Sequence, residues 1–341
     1  MNARPVASLA EMRAVMGELP GSSAAAGSAA AAREATLTKP PGALGRLEEL
    51  TQWLCLWQQR HPPRLDRARV AVFAGNHGVA AKGVSAYPAE VTKQMVANFI
   101  GGGAAVNQLC RSADAELRIY EMELENPTAD FSSEAAMSEE DCAKALAYGM
   151  MAVEPGLDLL CLGEMGIANT TSAAALCCGL FGGSAQEWVG PGTGVAGEAL
   201  ARKIAVVDAA MALHRPGFGD PFDVMRRVGG RELAAIAGAV IAARMAHLPV
   251  LLDGFACTAA AAVLQAAEPH AIDHCIVAHC SAEPGHRRLL ERIGKKPLLD
   301  FGMRLGEASG AALAIPLLKA AVACHTGMAS FAEAGVSGKA D

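Results

Sequence analysis

Leu157-Asp-Leu-Leu-Cys-Leu-Gly-Glu-Met-Gly-Ile-Ala-Asn-Thr-Thr-Ser172, followed by an alanine-rich run to Leu180, is the stretch from which the fold is read. Leu157 to Leu162 is an apolar segment of strand length. Gly163 to Ala168 is a loop with two glycines and one carboxylate, Glu164. Asn169, Thr170 and Thr171 supply helix N-cap chemistry, so Ser172 to Leu180 reads as a small-residue helix. The helix N-terminus is thereby aimed at the loop. Its free N–H groups and its dipole favour an anion such as a phosphate, and glycine lets a ligand approach the backbone. Every α/β domain has such turns, so the stretch argues a class of fold before it argues a site.

The same scheme recurs in both directions along the chain. Upstream, Val70 to Phe73 reads as a buried strand feeding Ala74-Gly-Asn-His-Gly78. A helix follows from Val91 to Ile100, is broken at Gly101-Gly-Gly103 and resumes from Ala104 to Arg111. Glu116 to Tyr120 is a strand, residues 125–140 a polar surface loop, and Ala143 to Val153 a helix. Downstream, Trp188-Val189 reads as a very short strand before Gly190-Pro-Gly-Thr-Gly194 and a helix from Glu198 to Leu213. Arg231 to His247 is a long alanine-rich helix. Pro249 to Asp253 is the clearest strand and leads through Gly254-Phe255 to a helix opened by Thr258. Cys275 to His279 repeats the scheme with Ser281 to His286 as its loop. Leu298 to Leu305 reads as a strand before Gly306-Glu-Ala-Ser-Gly310 and a helix to Ala323. Met328 to Ala334 is a last short helix. At least four strands that end in a polar or glycine loop and open a helix predict βαβ units, hence an α/β, doubly wound, mostly parallel sheet. Ligands of such sheets sit outside the carboxyl ends of the strands, where these loops gather.

The N-terminal part stands outside this alternation. Leu9 to Leu19 reads as a modest helix, and Gly21 to Ala32 as either a loose linker or an alanine helix. Leu37 to Arg46 is extended and proline-fixed. Leu47, Leu50, Leu54 and Trp57 then mark an amphipathic helix ending near His61-Pro-Pro. The division expected is a small helical domain built from both chain ends, residues 1–64 plus 316–341, and a large α/β nucleotide-binding domain, residues 65–315.

The chain has 341 residues, 52% hydrophobic and 19% charged, enough for a large core with an annex. A formal charge of -6, with no basic run and no aromatic–basic platform, argues against nucleic acid as a partner. The ten cysteines sit mostly in apolar runs and form no CxxC pair, which reads as free thiols in a reducing compartment. No signal peptide is read at the N-terminus, and the longest apolar runs are broken by Arg, Gln or Pro. The expectation is a cytoplasmic protein with no membrane partner.

Four motifs invite chemistry. Gly192-Thr-Gly-Val-Ala-Gly197 fits G-x-G-x-x-G, but lacks a proper preceding strand and an acid about 20 residues on, so a phosphate-touching loop is the better reading. His270, His274, His279 and His286 with Cys275 and Cys280 suggest zinc. Strand alternation divides them between two faces, and loop and core histidines with no metal is the reading taken. Asp253 has the place of the acid in diphosphate-ribose transferases but lacks its paired second acid, so no magnesium-diphosphate site is read. Glu307 has two readings. As a first-turn carboxylate it complements a helix dipole with a lowered pKa. As a general base walled by Met303, Leu305 and other apolar neighbours it has a raised one. Lys203 is either a solvated helix lysine or a ligand for a phosphate or carboxylate.

Six segments together resemble the nicotinate-nucleotide–dimethylbenzimidazole phosphoribosyltransferase family. They are Leu37-Thr-Lys-Pro-Pro-Gly-Ala-Leu-Gly-Arg-Leu-Glu48; His77-Gly-Val with Gly83-Val-Ser-Ala-Tyr-Pro; Gly163-Glu-Met-Gly-Ile-Ala-Asn-Thr-Thr171; Val250-Leu-Leu-Asp-Gly-Phe255; Ser281-Ala-Glu-Pro-Gly-His286; and Met303-Arg-Leu-Gly-Glu307. They run in family order from residue 37 to about 336. The resemblance implies transfer of phosphoribose from nicotinate mononucleotide to 5,6-dimethylbenzimidazole or a related base, giving α-ribazole 5′-phosphate and nicotinate in cobalamin lower-ligand synthesis. It also implies a Rossmann-like large domain, a homodimer, no cofactor, and Glu307 as the base. Gly166, Asn169, Thr170, Gly192, Gly194, Gly254 and Ser281 are the candidates for the phosphate and ribose, with Glu164 and Lys203 flanking the nucleotide. Ser85, Tyr87, Gln94 and Met165 would line the base pocket. Asn76, Ala168, Pro191 and Ala308 depart from the family pattern, Ala168 and Ala308 where glycines are expected. The alternatives are an NAD(P)-dependent oxidoreductase and a non-catalytic nucleotide sensor.

Overall fold

The computed structural model describes residues 8–338. Five strands form one all-parallel sheet: β1 Ala68–Gly75, β2 Glu116–Met122, β3 Leu159–Met165, β4 Val250–Leu252 and β5 Cys275–Val277, in the order β2-β1-β3-β4-β5. Between β1 and β3 the order reverses, which opens a crevice at the carboxyl edge. β1, β3 and β4 are buried along their length because helices cover both faces. Alternate residues serve opposite layers. Ala71, Phe73, Leu160, Leu162, Val250 and Leu252 join one core, and Val70, Val72, Leu159, Cys161 and Leu251 join the other.

In chain order the helices are α1 Leu9–Met16, α2 Ala24–Glu34, α3 Arg46–Gln58, α4 Glu90–Ile100, α5 Ala105–Ala113, α6 Glu139–Met150, α7 Asn169–Phe181 and α8 Ala185–Trp188. They continue with α9 Gly197–His214, α10 Pro221–Val228, α11 Arg231–Met245, α12 Phe255–Ala267, α13 Pro284–Ile293, α14 Ser309–Gly327 and α15 Phe331–Ala334. The larger core lies between the sheet and α6, α7, α10, α11 and α12. The other core is closed by α3, α5 and α14. Alanine and glycine let these helices approach closely. A Cβ on Gly149 would overlap the Ala235 carbonyl oxygen, and one on Gly238 would overlap that of Leu146, so α6 and α11 meet backbone to backbone.

One open reading is decided and several expectations are corrected. The Ala/Gly/Ser stretch is a helix, α2, capped by Ser23 Oγ accepting from Ala26 N at 3.2 Å. Trp188 ends the short helix α8 rather than forming a strand, so no strand precedes the G-x-G-x-x-G and its dinucleotide reading lapses. Residues 298–305 carry a single bridge, His279 to Leu299, and Glu307 does not follow a strand. Helix α10 is an element that the sequence reading lacks. α1 packs into the larger core through Leu9, Met12 and Met16. α2 and α14 pack against α3, and the bridge from Leu37 to Ser330 joins the segment after α2 to the start of α15. α14 is one continuous helix, and the boundary between 315 and 316 falls inside it. It is long and apolar enough to cross a membrane, but its Ser309, Ala311, Ala312 and Ile315 are buried in the protein core.

Candidate active site

The loops after β1, β3, β4 and β5, with the segment 304–307, surround a cavity of about 540 Å³ at the carboxyl edge of the sheet. Helices α7, α12 and α13 start at its wall, and α14 starts just behind Glu307. Such convergence of helix N-termini makes the floor attractive to an anion without a metal. The lining also has apolar members, Tyr87, Val91, Met95, Met165, Phe255 and Leu305.

Among the expected phosphate and ribose residues, Glu164, Gly166, Asn169, Thr170, Gly192, Gly254 and Ser281 all line this cavity, as does Glu307. Asn169 does not cap α7. The N-cap is Ala168, in the left-handed region at φ 77°, and the Asn169 amide donates to Glu164 Oε2. The Gly192 N–H is engaged by Glu283 Oε1 at 2.8 Å, and its carbonyl accepts from Arg304 Nη1 at 2.8 Å, so that turn is locked rather than open to a phosphate. Gly194 is not part of the lining. Lys203 is buried, and its Nζ donates to Thr170 Oγ1 at 2.8 Å and to the Gly190 carbonyl at 2.9 Å. Burial lowers its pKa to about 8 against the pull of Glu283. It therefore holds Thr170 at the rim of the cavity from behind.

Two of the four expected base-pocket residues, Tyr87 and Met165, are among these apolar members. Ser85 stands one step back. Its hydroxyl pairs with Thr193 Oγ1 at 2.9 Å, which also accepts from Ala86 N, and so pins the 85–87 segment to the glycine turn. Gln94 is exposed and outside the lining, whose α4 members are Val91 and Met95. Thr92, between them, accepts from Ile167 N at 3.1 Å and ties α4 to the loop after β3.

Glu307 is buried, at φ 61°, with Ala308 beside it at φ 57°. Its N–H donates to the Glu164 carbonyl at 3.0 Å, and Ser309 Oγ donates to the Gly306 carbonyl at 2.6 Å. Burial, reinforced by the Asp253 charge, raises its pKa to about 7. The first-turn reading with a lowered pKa is thus overturned, because the carboxyl stands ahead of the helix in an apolar setting. Glu164 is pushed well above the carboxylate range, chiefly by burial and then by Asp253, Glu232 and Glu307.

The histidines do not assemble. His270 is exposed beside Asp273, His274 Nε2 donates to the Val240 carbonyl deep in the core, and His286 Nδ1 accepts from Ser281 N at 2.8 Å. Among the described residues no metal-binding group is found. Arg304, Glu283, Thr193, His279 and Phe255 line the cavity without having been assigned. Glu283, Arg304 and Phe255 lay inside quoted motifs, so a signal existed. His279 had been weighed only as a member of the histidine–cysteine cluster.

The model of a phosphoribosyltransferase family matches residues 19–336, and the chain belongs to that family. A relative from Sinorhizobium medicae (strain WSM419) is 58% identical over 329 residues, covering 96% of this chain and 97% of its own, and is named nicotinate-nucleotide–dimethylbenzimidazole phosphoribosyltransferase. A protein of the same name from Brucella anthropi is 56% identical over 328 residues, with 96% and 97% covered. The crystal structure of the Thermus thermophilus protein of that name superposes with a TM-score of 0.86 at 42% identity, covering 93% of this chain and 100% of that one.

Proposed function

We propose that the chain transfers phosphoribose from nicotinate mononucleotide to 5,6-dimethylbenzimidazole or a closely related base. The products are nicotinate and α-ribazole 5′-phosphate, as in cobalamin lower-ligand synthesis. The observation that carries this is the buried carboxyl of Glu307, a residue left-handed at φ 61°, in the lining of a cavity that combines the starts of α7 and α12 with apolar side chains. The relatives' names support the choice of substrates.

The chemistry needs little else. Nicotinate leaves as a neutral pyridine ring, so the C1′–N bond breaks without a general acid or a metal. The benzimidazole attacks C1′ through one ring nitrogen from the opposite face, inverting β to α. Its other nitrogen gives its proton to the Glu307 carboxylate. Glu164, whose pKa burial raises, faces the ribose hydroxyls. The starts of α7 and α12 and Ser281 grip the phosphate, and Tyr87, Met95, Met165 and Leu305 sandwich the flat base. Alignment of the two rings supplies most of the rate.

Protein incubated with nicotinate mononucleotide and dimethylbenzimidazole is expected to form α-ribazole phosphate, with turnover unchanged by a chelator. Glu307→Gln is expected to lower kcat by about 10²–10⁴-fold. Absence of product with every benzimidazole tested, or full activity in the variant, overturns the assignment. Two copies are proposed to associate, as the resemblance implies. Tyr87 and Leu305 line the cavity yet remain 56% and 55% exposed, a mouth that a second copy would cover; sedimentation decides this. Ten cysteines, all free thiols, suit a reducing compartment such as the cytoplasm.

A further inference from the structure

Behind Glu307 lies a pair of buried ionisable groups that the transfer just described does not use. Asp253 follows β4 directly and is fully buried. Its Oδ1 accepts from the N–H groups of Gly310 at 2.7 Å and Ala311 at 3.0 Å, in the first turn of α14. The N-cap of that helix, Ala308, has no polar side chain, so the cap is supplied from another strand. His279 Nε2 stands 3.5 Å from the same Oδ1. Asp253 Oδ2 and both ring nitrogens of His279 have no hydrogen-bond partner, although all are buried. A Cβ on Gly310 would overlap the His279 ring, so the first turn of α14 lies directly on the imidazole.

That turn follows directly on the left-handed pair Glu307–Ala308. We propose that Asp253 and His279 form a buried carboxylate–imidazolium pair that positions Glu307 through the first turn of α14 and sets the net charge Glu307 faces. The proposal rests on the reading of Glu307 as the base. A lone Asp253 carboxylate opposes ionisation of its neighbour Glu307, and an imidazolium on Asp253 offsets that opposition. Although burial works against charge on His279, the adjacent carboxylate raises its pKa. The other groups facing the pair do not replace this balance. Asp253 also faces Glu164 at the end of β3 and the thiols of Cys161 and Cys257. His279 also faces Asp300 and the ring of His286, whose pKa burial lowers to about 3, so that it is neutral. Asp253 lies outside the cavity lining and acts through Glu307, which makes it a positioning residue.

Asp253→Asn keeps an oxygen for the two amides and removes the charge. His279→Gln keeps a polar side chain and removes the positive charge. Asp253→Asn also takes away the partner that keeps His279 charged against burial, so Glu307 again faces a neutral pair. The acid limb of the kcat–pH profile is expected to move up by about one pH unit in His279→Gln, where the Asp253 charge stands uncompensated, and not up in Asp253→Asn. KM for nicotinate mononucleotide should change little in Asp253→Asn, which lies outside the cavity lining. A role in packing alone lowers kcat in both and leaves both limbs in place. The carboxyl ¹³C signal that Glu307→Gln removes is titrated in each protein without substrate, and should show the same upward shift in His279→Gln alone. A wild-type protein that makes no product while this titration shifts in His279→Gln sinks the proposed reaction and leaves the pair intact. Limbs and signals that stay put in both variants, or move up in both, overturn the pair. If Asp253→Asn does not fold, His279→Gln decides alone, and an unmoved or lowered Glu307 titration overturns the proposal.

Discussion

Glu307, the proposed base, shows what burial does to a carboxyl. Its ordinary carboxyl, with a reference pKa of 4.5, is raised to about 7 by loss of water and by the Asp253 charge. The base must be ionised to accept a proton, so kcat should rise with pH through about 7. Stability should run the other way. Between the unfolded and folded pKa values the native state binds a proton that the unfolded chain has released, so stability falls as pH rises through that window. The full penalty at pH 8 is about 3 kcal/mol. Glu307→Gln is therefore expected to be more stable than the wild type at pH 8, and close to it at pH 4, in urea unfolding. The residue proposed to take the proton is one whose ionised form the fold disfavours.

At the scale of elements, two alanines occupy positions suited to glycine. Ala168 and Ala308 cap α7 and α14 at φ 77° and 57°. The left-handed conformation costs a residue with a Cβ about 1 kcal/mol. Ala168→Gly is expected to raise the unfolding free energy by up to about that amount, because Gly meets the same backbone without the clash. Helix packing gives the opposite case. Gly238 on α11 faces the Leu146 carbonyl of α6 with no space for a methyl group. Gly238→Ala should destabilise by about 2 kcal/mol or more, since a backbone cannot yield as a side chain can. A calorimetric scan of each variant checks both signs.

Across the whole molecule, stability and chemistry lie at opposite ends of the sheet. Arg69, at the start of β1, is fully buried and pairs with Glu116 at 2.9 Å and Glu154 at 2.7 Å, while its Nη1 donates to the Ala152 carbonyl at 3.0 Å. The cavity opens about 20 Å away along the strand. Arg69→Ala leaves the Ala152 carbonyl unpaired. It is expected to cost about 2–3 kcal/mol in unfolding while the folded fraction keeps its kcat. The two carboxylates reach water, which keeps the loss below that of a fully buried pair.

The alternation of short apolar runs, glycine loops and helix starts determined from sequence alone that the sheet is parallel, and that its loops collect on one edge. That pattern is local, because burial on both faces makes a strand apolar and a helix start needs its own cap residues. The family segments likewise marked Glu307, Glu164, Gly166 and Ser281 ahead of any tertiary information. Tertiary structure alone decided which of the gathered groups face the cavity. Gly192 lines the cavity with its N–H taken by Glu283, and Gln94 lies outside the lining where Met95 stands. Asp253 and Glu307 are far apart in the chain, and no local pattern tells that one strand caps the helix that carries the other residue's loop. Charge balance in a buried site depends on distances between segments, and those exist only once the chain has folded.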